Sequence, residues 1–554
     1  MNRRSFLTSL TGALTSAHFS RSLAFADSLT PASHAQLALP SPEQLAWQDM
    51  EIGVFMHFAP NTWQDLESDD LSTPLSAINP KSLDTDQWAK CALELGAKYI
   101  VFVAKHQGGF CMWQTQTTSY SIGNTPWRDG HGDVLGDLSE SCRRHGLKLG
   151  VYLCPRDDHF GATTGGVCKT PELQKKYDAM YRQQLTEVLT KYGEMVEVWF
   201  DGSTATPVAD ILHRYAPHAM VFQGPSATIR WVGNEQGFAP YPAWNSLSKS
   251  DAVSGVATAL YGDPNGSVWM PNEVDVSIRR PDFFWSTKND HRVLTLDEFL
   301  EIYYRSIGRG AHLLFNIPPD KDGLISELDY SRTKSFGEEI RRRFGTAIAE
   351  TSGNGKEVLL RLPRTTLIDT VILEEDCAKG ERVRLYRLDG RSNGRWMPLG
   401  TCSAIGHKRI QPVSATEVDA VRFTATEYAA LPAIRRLAVF HVGVAPPSGW
   451  NASSSIWAAN DAGSWQNGSV HIDLSSKINA ATQYQLRFVP QGGQAITIRN
   501  PVLLLDGIPH PELIHSVKNS TDRLILDITS VGPKVIFEGH IDGANAGSIL
   551  LQKM

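Results

Sequence analysis

Cysteine is scarce in this chain: there are seven residues in 554, an odd number with no regular spacing. That excludes a disulfide framework and a cysteine-based zinc site. Basic runs are missing as well, and with a formal net charge of -6 nothing is suited to neutralising a phosphate backbone, so nucleic acid is not an expected partner. Beyond the N-terminus no apolar run reaches the roughly 18 residues that a membrane span requires. No glycine-rich phosphate fingerprint follows the first strand-like segment, which removes the usual nucleotide site of an open α/β sheet. No metal and no cofactor are expected.

What the chain has is length, aromatics and a distinctive beginning. A length of 554 residues exceeds one ordinary core and predicts two or three domains. Fourteen Trp and fifteen Tyr suit stacking on a neutral, partly apolar ligand such as a sugar, with core packing as the commoner use. The N-terminus reads Met1-Asn2-Arg3-Arg4-Ser5-Phe6-Leu7-Thr8 and, after a weakly apolar stretch, Ala24-Phe25-Ala26. A twin arginine followed by a small-x-small site predicts an export signal over residues 1 to 26, and a periplasmic or secreted mature protein.

From about residue 40 to 345 strand-like and helix-like segments alternate, in a catalytic domain expected over 27–345. The expected strands are Ile52 to Phe58, Tyr99 to Lys105, Lys148 to Pro155, Val196 to Asp201, Met220 to Gln223 and His312 to Ile317. The clearest helix is Pro171 to Tyr192, whose apolar residues recur at three and four positions behind a proline suited to a first turn. Repeated strand-helix units over some 300 residues predict a parallel (β/α)8-type barrel. After about Arg343 strands occur without long helices, predicting a β-sandwich over 346 to 445. A Pro-Pro-Ser-Gly linker at Pro446 to Gly449 then introduces a second small β-domain over 446 to 554.

Active sites of parallel barrels are built at the C-terminal ends of strands. Val196-Glu197-Val198-Trp199-Phe200-Asp201-Gly202 delivers a carboxylate to that position, and the strands ending on His57 and His106 deliver imidazoles. A turn or helix cap is the competing reading of Asp201, and two histidines on separate strands lack metal-ligand spacing.

Five motifs in order carry a resemblance. They are Gly-Val-Phe-Met-His at Gly53 to His57, Lys-His-Gln-Gly-Gly-Phe-Cys-Met-Trp at Lys105 to Trp113, Val-Trp-Phe-Asp-Gly at Val198 to Gly202, Arg-Trp-Val-Gly-Asn-Glu at Arg230 to Glu235, and Leu-Leu-Phe-Asn-Ile-Pro-Pro-Asp at Leu313 to Asp320. Together they resemble the family 29 glycoside hydrolases, the retaining α-L-fucosidases. The fourth motif, with Trp269 to Arg279, resembles the subgroup selective for α1,3- and α1,4-linked fucose on branched glycans.

The resemblance implies that Asp201 is the nucleophile and Glu235 the general acid/base. It implies that His57, His106, Tyr152, Trp199 and Arg230 line a fucose pocket, with Trp113 near its wall. Glu273 competes for the acid role; with Trp269 and Asp275 on what reads as a loop, it is assigned to the neighbouring sugar. One departure is Gln107, which stands where many relatives carry a second histidine and can donate and accept but not carry charge. The implied partner is a fucosylated oligosaccharide or glycoconjugate. The implied chemistry is protonation of the leaving oxygen by one carboxyl while a second, roughly 5 to 5.5 Å away, attacks the anomeric carbon. A non-catalytic glycan-binding protein on the same scaffold is the alternative, and it fits less well because both carboxylates are present.

Overall fold

The computed structural model of the chain describes residues 37–253, 261–447, 449–450, 460–466, 468–475, 482–490, 496–505, 508–510, 513–516, 523–528, 535–542 and 546–553. The expected export signal lies outside the described residues. Eight parallel strands form the first sheet: β1 (Ile52–Met56), β2 (Tyr99–Lys105), β3 (Lys148–Leu153), β4 (Met195–Trp199), β5 (Met220–Phe222), β6 (Arg230–Trp231), β7 (Asn272–Ser277) and β8 (His312–Asn316). Their spatial order is β5-β4-β3-β2-β1-β8-β7-β6. One parallel bridge between Phe222 and Ile229, with the Thr228 and Ile229 amides donating to the Val221 carbonyl, joins the two end strands. The result is an eight-stranded barrel of the TIM type.

β1 and β2 are buried along their whole length, as strands covered on both faces must be, and so they read as unbroken apolar runs. The covering helices start and stop where their sequences direct. Asp84 and Asp133 cap the helices Thr85–Leu95 and Val134–His145, which end on the left-handed residues Gly96 and Gly146. Thr170 caps the helix Pro171–Lys191, which has proline in its first turn. Phe336, on the helix Glu327–Phe344, packs its ring 5.3 Å from Phe299 and 5.7 Å from Phe315. It is fully buried, and its truncation to alanine is expected to cost about 3–5 kcal/mol.

The alternation of strand and helix fails in one quarter of the barrel. Residues 223–229 connect β5 to β6 without a helix. Among the described residues, the excursion from 232 to 271 holds only a small hairpin of Ser246–Leu247 with Val268–Trp269 and a short 3-10 turn. The excursion is braced from outside the barrel: the Glu381 carboxylate accepts the Asn245 amide N–H at 2.9 Å and Nδ2 at 2.7 Å.

Beyond the barrel all the described long elements are strands. Six make one antiparallel sheet over Ala349–Phe440. Its 19-residue strand Glu357–Glu375 shifts register against its partner between Arg361 and Thr366. Leu360, Ile368, Leu388, Phe423 and Leu437 share its core, the sandwich-like interior the sequence predicts. A nine-stranded antiparallel sheet follows over Asn460–Lys553, around Leu486, Phe488, Leu503, Leu526 and Phe537. Among the described residues no helix is long and apolar enough to cross a membrane.

Candidate active site

The C-terminal ends of the barrel strands open on a cavity of about 350 Å³. β4 supplies Trp199 and, two residues on, Asp201. The turn carrying Asp201 needs a glycine: Gly202 has φ +74°, and a Cβ there would meet Thr164 Cγ2 at 2.8 Å. Gln223, at the end of β5, clamps the same turn by accepting the Gly202 and Ser203 amides at 2.8 and 3.3 Å. Asp201 is held at one oxygen. The Tyr152 hydroxyl donates to its Oδ2 at 2.9 Å and Gln107 Nε2 donates to the same atom at 3.2 Å.

His57 follows β1. Its Nδ1 lies 2.8 Å from Asn316 Oδ1, while Asn316 Nδ2 donates to Ser277 Oγ and to the Phe283 carbonyl. Asn316 Oδ1 is therefore the acceptor, the proton sits on His57 Nδ1, and Nε2 is left as an acceptor. Burial, and next to it the nearby His106, hold His57 well below the ordinary histidine range, so it is neutral. His106 follows β2, stacked on Tyr152 with ring centroids 5.7 Å apart. Burial lowers it to about 4 against the opposing pull of Asp201. Phe283 and Phe284 close over His57 with centroids at 5.0 and 5.3 Å. Trp199 forms part of the floor, stacked on Phe222 at 3.5 Å.

Four carboxyls line the cavity, those of Glu67, Asp201, Glu235 and Asp275. Glu235, on the excursion after β6, is exposed at its mouth; desolvation and then the charge of Asp201 raise its affinity for a proton. Asp275, on β7, is buried and pushed up to about 8, first by burial and then by Glu235, against a hydrogen bond of 2.6 Å from Trp231 Nε1. Beside Asp201 these two carboxyls bind a proton more tightly than an ordinary carboxylate does. Acid/base chemistry at an acetal needs a carboxyl with a proton to give.

The α-L-fucosidase family profile matches residues 62–342. Alpha-L-fucosidase 1 of Arabidopsis thaliana is 32% identical over 426 residues, covering 68% of this chain and 81% of the plant protein. The chain belongs to the α-L-fucosidase family. Among solved structures, a Ruminococcus gnavus family 29 fucosidase in complex with fucose superposes with a TM-score of 0.65 at 26% identity, over 74% of this chain and 96% of that one. A family 29 member from an unknown rumen bacterium gives 0.67 at 27% identity, over 94% and 100%. This α-L-fucosidase is accordingly a retaining glycoside hydrolase, an exo-glycosidase acting on fucosylated substrates, on the barrel-plus-β architecture its sequence predicts.

Within the fucosidase barrel, His57, His106, Gln107, Tyr152, Trp199, Asp201, Glu235 and Asp275 all line the one cavity. Four residues expected at the sugar site lie elsewhere. Arg230 is buried with its guanidinium donating to the Met270 and Trp244 carbonyls, on the opposite face of β6 from Trp231, because successive strand residues alternate. Trp113 is buried in the helix-facing core and donates to Glu187 at 3.0 Å. Glu273 sits on a strand, not a loop: it lies inside the barrel, accepts the Trp199 indole N–H at 2.9 Å and neighbours Glu197. Burial and then the Glu197 charge hold Glu273 well above the ordinary range. Trp269, expected beside it on the sugar side, turns instead toward Gln48.

Sequence reasoning missed Trp231, Phe283 and Glu67, which complete the wall. Trp231 stands inside a quoted motif and was recoverable from strand alternation. Glu67 is tied to the Phe283 and Phe284 amides at 2.9 and 3.2 Å across more than 200 residues, and no local signal announces that. Gly108 leaves room for a neighbouring acid: a Cβ at 108 would meet Asp69 Oδ2 at 2.1 Å, so the Asp69 carboxylate fills that space.

Proposed function

We propose that this fucosidase removes terminal α1,3- and α1,4-linked fucose from branched, Lewis-type glycans by double displacement, with Asp201 as nucleophile and Glu235 as general acid and then base. The observation that supports this most directly is that the two carboxyls line one cavity and that the Asp201 charge helps keep the Glu235 proton on. In the first step an oxygen of Asp201 bonds to C1 of fucose while the C1–O bond to the aglycone breaks. The departing oxygen keeps the electron pair and takes the proton of Glu235. In the second step Glu235 accepts a proton from water, whose oxygen bonds to C1, and Asp201 leaves as a carboxylate. Trp199 offers an aromatic platform to the apolar face of the sugar. His57 Nε2 accepts from a hydroxyl, and Tyr152 orients the nucleophile.

Proton NMR of the first product tests the stereochemistry, since an initial β-fucose signal excludes retention. Asp201→Asn should lose hydrolysis of a Lewis-type trisaccharide while still binding it. Azide should rescue Glu235→Ala; rescue of Glu273→Ala in its place would transfer the acid role. The Arg230 to Glu235 motif supports the branched-glycan preference, and faster release from linear α1,2-linked compounds would remove it. The order of elements supports a barrel over 27–345, a sandwich over 346–445 and a last domain over 446–554. Limited proteolysis should cut first near Pro446, and a first cut inside the barrel would refute that boundary. Export of the mature chain by the twin-arginine route is tested by replacing Arg3 and Arg4 with lysine, which should leave the protein in the cytoplasm.

A further inference from the structure

Asp201 Oδ2 accepts from both Tyr152 and Gln107, and that asymmetry has a cause one residue further out. Gln107 Oε1 accepts from Arg156 Nη1 at 3.2 Å. Arg156 is anchored by its own Nε, which donates to Asp158 Oδ1 at 2.7 Å. The backbone sews the two loops together: the Asp158 amide donates to the Gln107 carbonyl at 2.9 Å and the His159 amide to the Gly108 carbonyl at 3.2 Å. A guanidinium only donates and a carboxylate only accepts. The Gln107 amide therefore has one orientation. Its flip would set NH2 against guanidinium and carbonyl against carboxylate, two repulsions in place of two hydrogen bonds.

We infer that Arg156 is a positioning residue for the nucleophile. Acting through Gln107, it fixes a donor on Asp201 Oδ2, so that Oδ1 is the oxygen that bonds to the anomeric carbon and Oδ2 becomes the carbonyl oxygen of the fucosyl ester. This rests on the reading of Asp201 as nucleophile. The chemistry gives the relay a specific job. A donor on Oδ2 is worth more to a carboxylate than to an ester carbonyl. It therefore holds back attack slightly and favours departure, when water's oxygen bonds to C1, the C1–Oδ1 electron pair returns to Asp201 and the water proton passes to Glu235. A neutral amide in the middle keeps the Arg156 charge from contacting the nucleophile directly, where it would pair with the carboxylate and blunt it. This gives the Gln107 amide a use: it can bridge a cation to an anion in a fixed sense, which a histidine beside Arg156 does only in one tautomer.

The test is Arg156→Met, compared with Arg156→Lys. The side chain is 38% exposed, and methionine keeps the stem, so the barrel core is untouched. Loss of the relay should slow the second step by about tenfold, the size of one charge-assisted hydrogen bond partly expressed in the transition state. At saturating trisaccharide kcat and KM should fall together, with kcat/KM within about threefold of wild type. Intact-mass spectrometry of the quenched enzyme should show fucosylated protein accumulating. Arg156→Lys, which can still donate to Gln107 Oε1, should restore most of kcat. Unchanged kcat and KM in Arg156→Met, or a fall in kcat/KM at constant KM with no fucosylated protein, overturns the inference. Failure of the underlying reading looks different: there Asp201→Gly keeps its activity, or loses it without azide rescue.

Discussion

Asp275→Asn is expected to make the protein more stable, and increasingly so as pH rises. The Asp275 carboxyl is 4% exposed and is pushed from an ordinary 3.8 to about 8, chiefly by burial. Between those values the folded protein holds a proton that the unfolded chain has released, so unfolding is favoured as pH rises and wild-type stability falls across that window. Each pH unit is worth about 1.4 kcal/mol, so from pH 5 to pH 7 the wild type should lose up to about 2.7 kcal/mol relative to a side chain that does not titrate. Asparagine is such a side chain. It has the shape of the protonated acid, and its carbonyl can still accept the Trp231 indole N–H that bonds Oδ1 at 2.6 Å. Urea unfolding followed by tryptophan fluorescence, at pH 4, 5, 6, 7, 8 and 9, reads the difference in midpoint. The gap between variant and wild type should be small at pH 4, widen through pH 7 and level off above pH 8. A gap independent of pH, or one widest in acid, refutes the argument that burial holds a proton on this carboxyl.

Three further perturbations separate the parts of the site. Gly202→Ala forces a side chain into φ +74° and against Thr164; it should cost about 1–2 kcal/mol of stability and more than tenfold in kcat as Asp201 moves, whereas unchanged kinetics would show the turn is not strained. Asn316→Asp places a carboxylate on His57 Nδ1 and favours the charged imidazolium. His57 should then titrate closer to neutrality in proton NMR, and inhibition by fucose should weaken as pH falls, because Nε2 no longer accepts. Glu235→Gln should reduce kcat by roughly 10²–10⁴ and Glu273→Gln by no more than a few fold, since Glu273 lies behind Trp199. The reverse ranking in steady-state assays would make Glu273 the acid.

The parts of the site that were legible share one physical form: a barrel strand buried on both faces must be apolar, so the first polar residue past its end stands out. That is how His57, His106 and Asp201 could be read, and the strands beneath them began and ended within about two residues of expectation. β6 and β7 did not conform. β6 is two residues long, and β7 reads Asn-Glu-Val-Asp-Val-Ser, because its inward side carries the carboxyls of Glu273 and Asp275 where β1 and β2 carry apolar side chains. A strand that lines a polar barrel interior loses the unbroken hydrophobic signature and looks like a loop. The misplacement of Glu273 follows from that one error, and the strand's register also corrects Arg230, which the resemblance placed in the pocket. Register pairs Trp231 with Glu273 and Arg230 with Asn272, and paired residues on parallel strands share a face. Reading β7 as a strand would have turned Trp231 inward with Asp275 and sent Arg230 outward. Glu67 and Arg156 were invisible for a different reason. Each acts through a partner on another loop, Phe283 and Gln107, and only the closed barrel brings those loops to one rim. The motifs thus recorded which residues line the cavity more faithfully than which residues hold them there.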